Sequence, residues 1–230
     1  MVSIPPFYVT QLHGPLQSNM TSALDAIRQA TQSTAYERDL YLVGGAVRDE
    51  LLGLPPQADV DLVTTGPVEP LVDLLRPISS IAPVVYERFG TAMLRIDRTP
   101  VELVQARKES YEGGSRKPQV EPATLEDDAR RRDFTANALM RRLSDGELID
   151  PTSRGLEDLQ AKLLRTPLEP GETFRDDPLR MLRAVRFRWK LGFEPATGLY
   201  EAIRENAGRL KIVSEERIRD ELRKMIIHPS

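Results

Sequence analysis

The stretch Gly44–Thr65, GGAVRDELLGLPPQADVDLVTT, constrains this chain more than any other. Tyr41-Leu42-Val43 ahead of it reads as a strand. A glycine pair ends that strand, Arg48-Asp49 opens a short apolar helical turn, and Asp59-Val60-Asp61 enters a second strand. Glycines without a Cβ let backbone amides approach an anion closely, amides at a following helix start would face that anion, and Arg48 adds a charged fork. In an extended chain side chains alternate, so Asp59 and Asp61 share a face, roughly 6 to 7 Å apart at their backbones, while Val60 and Leu62 turn to the core. Two like-facing carboxylates suit phosphoryl transfer with two ions roughly 3.5 to 4 Å apart, and hard oxygen ligands favour magnesium. Taken singly, the glycine pair also suits an ordinary turn, and such aspartates are also common as solvated or capping groups. Their order within one strand–turn–helix–loop–strand unit points instead to a phosphate-and-metal site.

Two hundred and thirty residues, 40% of them hydrophobic, allow one large domain or a medium domain with a helical appendage. The absence of cysteine excludes a disulfide framework and a thiolate zinc site, and it fits a reducing compartment. Two isolated histidines argue against a histidine metal cluster. The segment MVSIPPFYVTQLHGP lacks the basic flank and apolar run of a leader, and no stretch approaches the roughly 18 apolar residues of a membrane helix. Cytoplasmic residence and no membrane partner are therefore expected. Net charge is −3, but unevenly spread: residues 1–173 hold 19 basic and 26 acidic side chains, residues 174–230 hold 13 and 9. An RNA partner should meet the C-terminal part first, although a solvated charged helical face accounts for the same pattern.

Along the chain, residues 1–20 read as irregular, and a helix is expected over Thr21 to about Thr34 with Ser22 as its cap. Val68–Leu75 reads as a second helix. Val84–Phe89, Ala92–Ile96 and Val101–Gln105 read as strands of a meander. Alternation puts Glu102 and Val104 on one face of the last of these. Glu102 is then either a third carboxylate supporting the metals or an exposed edge-strand residue. Residues 108–123, KESYEGGSRKPQVEPA, read as a mobile loop. In ARRRDFTANAL, residues 129–139, Arg131 and Arg132 could neutralise a triphosphate, and Asp133 and Asn137, four apart on a helical turn, could hydrogen-bond ribose hydroxyls. Three consecutive arginines also make an ordinary solvated patch. A hairpin around Ser144-Asp145-Gly146 and a helix from about Leu156 follow.

From Thr173 the pattern is helical, with Leu179, Leu182, Val185 and Trp189 on one face and Asp176, Arg180 and Arg183 on another. Asp177 and Arg180 form either an i,i+3 surface ion pair or a base reader. A carboxylate accepts from an amino group and a guanidinium donates to a ring nitrogen, an edge that cytosine and adenine share and uracil and guanine lack. Two further helices are expected, over about Ala196–Ala207 and Ser214–Ile227.

GGAVRD with LLGLPPQADVDLVT, the ARRRDFTANAL segment and Asp176-Asp177-Pro178-Leu179-Arg180 together resemble the motifs of the class II tRNA nucleotidyltransferases, the CCA-adding enzymes, and of the related bacterial poly(A) polymerases. The resemblance covers about residues 39–227 and departs from the usual pattern at Asp176, where glutamate is usual. It implies an α+β fold: a polymerase-β-like head, an antiparallel-rich sheet with helices on one side, over residues 21–165, then an all-α neck over residues 166–230. It favours an acidic role for Glu102, and it makes the 108–123 loop the one linked to the switch from cytidine to adenosine addition, here of full length. It assigns phosphate and nucleotide binding to Gly44, Gly45, Arg48, Arg131, Arg132, Asp133 and Asn137, two Mg2+ ions to Asp59 and Asp61 with Glu102, and base selection to Asp177 and Arg180 with Asp176 and Arg183. Glu216, Arg217 and Glu221 match residues that brace the base-reading helix.

The activity this implies is template-independent addition of C and/or A from CTP and ATP to the 3′ end of tRNA, with release of pyrophosphate. CC-only addition, A-only addition and poly(A) synthesis are rivals within the class, and a non-catalytic nucleotide- or RNA-binding module is the rival outside it. Members continue through further helices that grip the tRNA elbow, and none follows here, so a missing C-terminal region or a partner chain is expected to complete that grip. Oligomeric state is left open.

Overall fold

The computed structural model describes residues 15–110 and 119–226, without the side chains of 15–19 and 108–122. Helix α1 (Pro15–Thr31) precedes strand β1 (Tyr41–Val43), helix α2 (Gly45–Leu51), strand β2 (Val60–Thr64) and helix α3 (Val68–Leu75). Strands β3 (Val84–Tyr86), β4 (Thr91–Ile96) and β5 (Thr99–Gln105) form the expected meander. A short ladder of β6 (Arg107–Ser110) and β7 (Gln119–Pro122) follows, then α4 (Leu125–Arg130), β8 (Met140–Arg142), β9 (Leu148–Ile149) and α5 (Gly155–Gln160). The last part comprises β10 (Leu163–Leu164), α6 (Pro170–Asp176), α7 (Leu179–Leu191), β11 (Glu194–Pro195), α8 (Leu199–Asn206) and α9 (Glu215–Ile226). No helix among the described residues is long and apolar enough to cross a membrane.

The main sheet has seven strands in the order β3-β4-β5-β2-β1-β8-β9, antiparallel throughout except where β2 meets β5. A parallel neighbour needs a crossover, which α3 and the β3–β4 hairpin supply. Period-two alternation sorts the side chains. Val60, Leu62, Leu94, Val101 and Leu103 pack with Ile27 of α1 and Leu71 and Leu75 of α3, all almost fully buried, at about 1.5 to 3 kcal/mol for each large side chain removed from water. On the reverse face Tyr41, Val43, Val63 and Met140 pack with Ala129 of α4 in a smaller cluster. Asp61 and Glu102 belong to that reverse, more open face. The architecture is thus the expected α+β fold on an antiparallel-rich sheet, except that α4 packs on the second face instead of all helices lying on one side, and that the segment expected to be all α carries β11, paired with β10.

Several local expectations are corrected. Helix α1 begins at Pro15, so the expected irregular segment is helical from there on, and the rest of it, residues 1–14, lies outside the described residues. Proline suits a first helical turn because its missing N–H would have no partner there. Ser22 sits inside the helix instead of capping it, and its hydroxyl donates to Asp97 at 2.8 Å. The arms of the expected 108–123 loop pair as β6 and β7, while its tip, residues 111–118, lies outside the described residues. The strand expected to Phe89 stops at Tyr86 and turns through a 3-10 segment, Glu87–Phe89, ended by Gly90 at φ 55°.

The largest correction concerns α7. Its buried face carries Met181, Ala184 and Phe187, not Val185 and Trp189, and Trp189 is 84% exposed. Both stripes are apolar and lie about 100° apart on the helix, so tertiary contacts decide. Phe187 meets Phe134 edge-on at 5.6 Å between centroids, with the guanidiniums of Arg186 and Arg48 at 4.3 and 5.0 Å from its ring. Met181→Ala should therefore cost about 2 to 5 kcal/mol in denaturant unfolding, and Trp189→Ala should stay within about 0.5 kcal/mol of the parent; the opposite ranking would restore the original face.

Candidate active site

The parallel ladder between β2 and β5 puts Asp61 directly opposite Glu102, so both carboxylates rise from the same face of adjacent strands. Asp59 stands exposed just before β2. Burial pushes the Asp61 carboxyl up to about 6, and the negative charges of Glu102 and Asp59 push the same way, against Arg132. The three acids share one field. Among the described residues they do not close into a ready-made cage of three metal-ligating side chains. An open set of hard oxygens still fits magnesium, which takes one or two carboxylates and completes its octahedron with water and substrate phosphates.

Gly44 borders this group. Its φ of 73° and ψ of −136° suit glycine alone, and a Cβ there would come within 3.8 Å of both Asp61 Oδ2 and Arg132 Nη1. Gly44, Asp61 and Arg132 therefore converge on one spot. At Gly45 a Cβ would overlap the Gln57 side chain, 2.0 Å from Nε2, so the second glycine makes room for Gln57.

Asp128 aims the arginines, and sequence reasoning passed it over. It is fully buried in α4, where Oδ2 accepts from Arg132 Nε and Nη2 at 3.0 and 2.8 Å and Oδ1 from Arg131 Nε at 2.8 Å. Burial works to raise its carboxyl, but Arg132 and Arg131 hold it below the ordinary range. The signal was available: an aspartate three and four residues ahead of two arginines on a helix.

Asp133 and Asn137 do meet, with Asn137 Nδ2 donating to Asp133 Oδ1 at 2.9 Å. The backbone between them is a 3-10 turn, Thr135–Asn137, and not the α-helical turn expected. Asp133 Oδ2 also accepts from Arg183 Nε at 2.7 Å, and Arg183 keeps this buried carboxyl low against the effect of burial. Arg48 differs from expectation more sharply. It is 2% exposed, donates to Asp49 from Nε and Nη2 at 2.8 and 2.6 Å, and reaches Asn137 Oδ1 at 2.5 Å. A buried guanidinium must be paired, so Arg48 acts as a strut between α2 and the Asn137 turn rather than an open phosphate fork.

Asp176 closes α6, and Asp177 lies in the break before α7, where its Oδ1 accepts from Leu179 N at 3.2 Å. The alternative of an Asp177–Arg180 surface pair is not realised. Asp177 accepts from Arg217 Nη2 at 2.8 Å, while Arg180 donates to the carbonyls of Thr173 and Arg131. Arg183, expected to assist base selection, pairs with Asp133. From α9, Arg217 holds Asp177 and Glu221 holds the buried Arg186, as the expected bracing requires.

Residues 40–165, more than half of the chain, match the family model described as "Poly A polymerase head domain". The chain belongs to that family. Residues 192–230 match a second model, "Probable RNA and SrmB- binding site of polymerase A". The chain is 39% identical over 188 residues to the A-adding tRNA nucleotidyltransferase of Aquifex aeolicus, covering 80% of this chain and 22% of that one. It is 36% identical over 207 residues to the CC-adding tRNA nucleotidyltransferase of Halalkalibacterium halodurans, covering 88% and 49%. The Bacillus stearothermophilus CCA-adding enzyme, solved in complex with CTP, superposes with a TM-score of 0.74 at 32% identity, covering 94% of this chain and 50% of that one. This chain spans about half the length, or less, of the relatives it matches.

In the metal-free chain the Asp61 carboxyl should titrate near pH 6, and Glu102→Gln should move it toward the ordinary 3.8; carboxyl carbon chemical shifts report both. Because the folded value is the higher one, Asp61 weakens folding above pH 6, and that penalty fades as pH falls from 6 to 3.8. Asp61→Asn should accordingly stabilise the metal-free fold at pH 7.5 by on the order of 2 kcal/mol.

Proposed function

We propose that this chain is the catalytic and nucleotide-selecting part of a tRNA nucleotidyltransferase, which transfers CMP and/or AMP from CTP and ATP to a tRNA 3′ hydroxyl and releases pyrophosphate. The observation that carries the reading is the pairing of Asp61 with Glu102 on the open face of the sheet, beside Gly44 and Arg132, in a chain of this family. Net positive charge after residue 174 and the match over residues 192–230 support an RNA substrate. Cytoplasmic residence goes with this reading.

In this reading Asp59 and Asp61 hold two magnesium ions with Glu102 beside them, and the bound ions supply Lewis-acid stabilisation of the attacking and leaving oxygens. The backbone at Gly44, where no Cβ intervenes, and the guanidinium of Arg132 receive the triphosphate, with Arg131 held beside it by Asp128 and Gly45 seating Gln57 next to the turn. Asp133 and Asn137, fixed by Arg183 and Arg48, present their remaining polar atoms to the ribose. Asp177 and Arg180 read the base, each held by another partner, and reject uracil and guanine because a mismatched edge would leave buried polar groups unpaired. Catalysis is then positioning and charge stabilisation, as phosphoryl transfer requires.

Relatives of similar identity are named for adding A alone or CC alone, so the product is decided by assay. Transcripts lacking one, two or all three of the terminal CCA nucleotides, each supplied with CTP or ATP, should be extended with pyrophosphate release, and Asp61→Asn should lower the rate on the order of a thousandfold or more. Nucleotide and RNA binding without any pyrophosphate, in magnesium, would make the chain a binding module instead.

A further inference from the structure

The open face of the sheet does not end at the acids. Cross-strand register runs in one line from Asp61 on β2 to Glu102 on β5, Met93 on β4 and Val84 on β3. Residues directly opposite one another share a face, and so does Tyr86, two residues beyond Val84. Burial agrees: Val85 packs against the core, while Val84, Tyr86 and Met93 are 48%, 50% and 37% exposed. Arg95, exposed and two residues from Met93, adds positive charge to this face. An apolar, aromatic-bearing strip with an arginine on it thus leads away from the acidic group.

Its direction matters. Gly44 and Arg132 lie on the β1 side of Asp61, and the strip lies on the β5 side, since the order is β3-β4-β5-β2-β1. In the transfer, the RNA 3′ oxygen bonds to the α-phosphorus, the bond from that phosphorus to the pyrophosphate oxygen breaks, pyrophosphate leaves with the electron pair, and the hydroxyl proton passes to solvent. Attacking and leaving oxygens must lie roughly in line. With the triphosphate on the β1 side, the attacking strand has to arrive over β5, β4 and β3.

Resting on the proposed transferase reading, we propose that this strip is the platform for the primer terminus, with Met93 beneath the terminal nucleotide and Tyr86 stacked on the penultimate base. Strand spacing puts β4 and β3 roughly 10 and 14 Å from Asp61, a reach of about one and two nucleotides. Stacking on an aromatic ring is indifferent to base identity, which suits a terminus whose last base changes with each addition.

The test is steady-state kinetics of the 230-residue chain on a transcript lacking its terminal adenosine, with ATP. Tyr86→Ala should raise the primer KM about tenfold, with the ATP KM and kcat unchanged, and Tyr86→Phe should restore the parent value. A primer abasic at its penultimate position should raise the KM of the parent chain similarly and remove the difference between parent and Tyr86→Ala. An unmoved primer KM in Tyr86→Ala, an equal rise for ATP, or an abasic effect that persists undiminished in the variant would overturn the platform while leaving the transferase intact. Loss of self-association without a change in primer KM would make the strip a protein contact and overturn it too. If the parent chain adds only cytidine, the same kinetics are read on a transcript lacking its last two nucleotides with CTP; if it transfers nothing from CTP or ATP to any of the shortened transcripts, the transferase reading falls and takes the platform with it.

Discussion

One parallel pairing in an otherwise antiparallel sheet sets both the core and the candidate site. The register of β2 on β5 seats Asp61 beside Glu102, a like-charge juxtaposition that a sheet normally avoids. The hydrophobic layer on the helix-covered face, opposite the acids, holds it there. Val60, Leu62, Val101 and Leu103 are fully buried against α1 and α3, and slipping the register by one residue would carry them into solvent. Burial of four large aliphatic side chains outweighs the repulsion of two partly solvated acids.

A second constraint runs across the sheet edge. Arg183 of α7 donates to Asp133, Asn137 donates to Asp133, Arg48 donates to Asn137 and Asp49, and Gln57 donates to Asp49 at 2.6 Å. This series joins the helix after Asp177 to the loop that leads into the aspartate strand. Every member has a charged or amide group held in fixed geometry, and Phe187 fills the space beneath the guanidiniums. The ion pair of Arg183 with Asp133 and the ladder of β10 with β11 both cross the expected boundary at residue 165.

Much of this was legible. The strand–glycine–helix–aspartate order, the α3 span, the meander and the sharing of a face by Glu102 and Val104 follow from local patterns with strong periodicity, and they are borne out by the observed elements. What escaped was decided at a distance. The two apolar stripes of α7 look alike until Phe134 and Arg48, far off in sequence, select one. Arg48 reads as an exposed fork until its burial beside Asn137 is known. Asp177 and Arg180, near each other in sequence, found other partners because α9 and the Arg131 carbonyl offered better geometry.

Helix α7 is moored at both ends, near its start by Arg183 on Asp133 and just past its end by β11 on β10. A rod tied at two points behaves as a spoke and not as a flap. Whatever presses on its first turn meets stiff resistance to swinging, so under the proposed base-reading role a smaller or larger heterocycle would be accommodated by side-chain torsions of Asp177 and Arg180, with the backbone holding still.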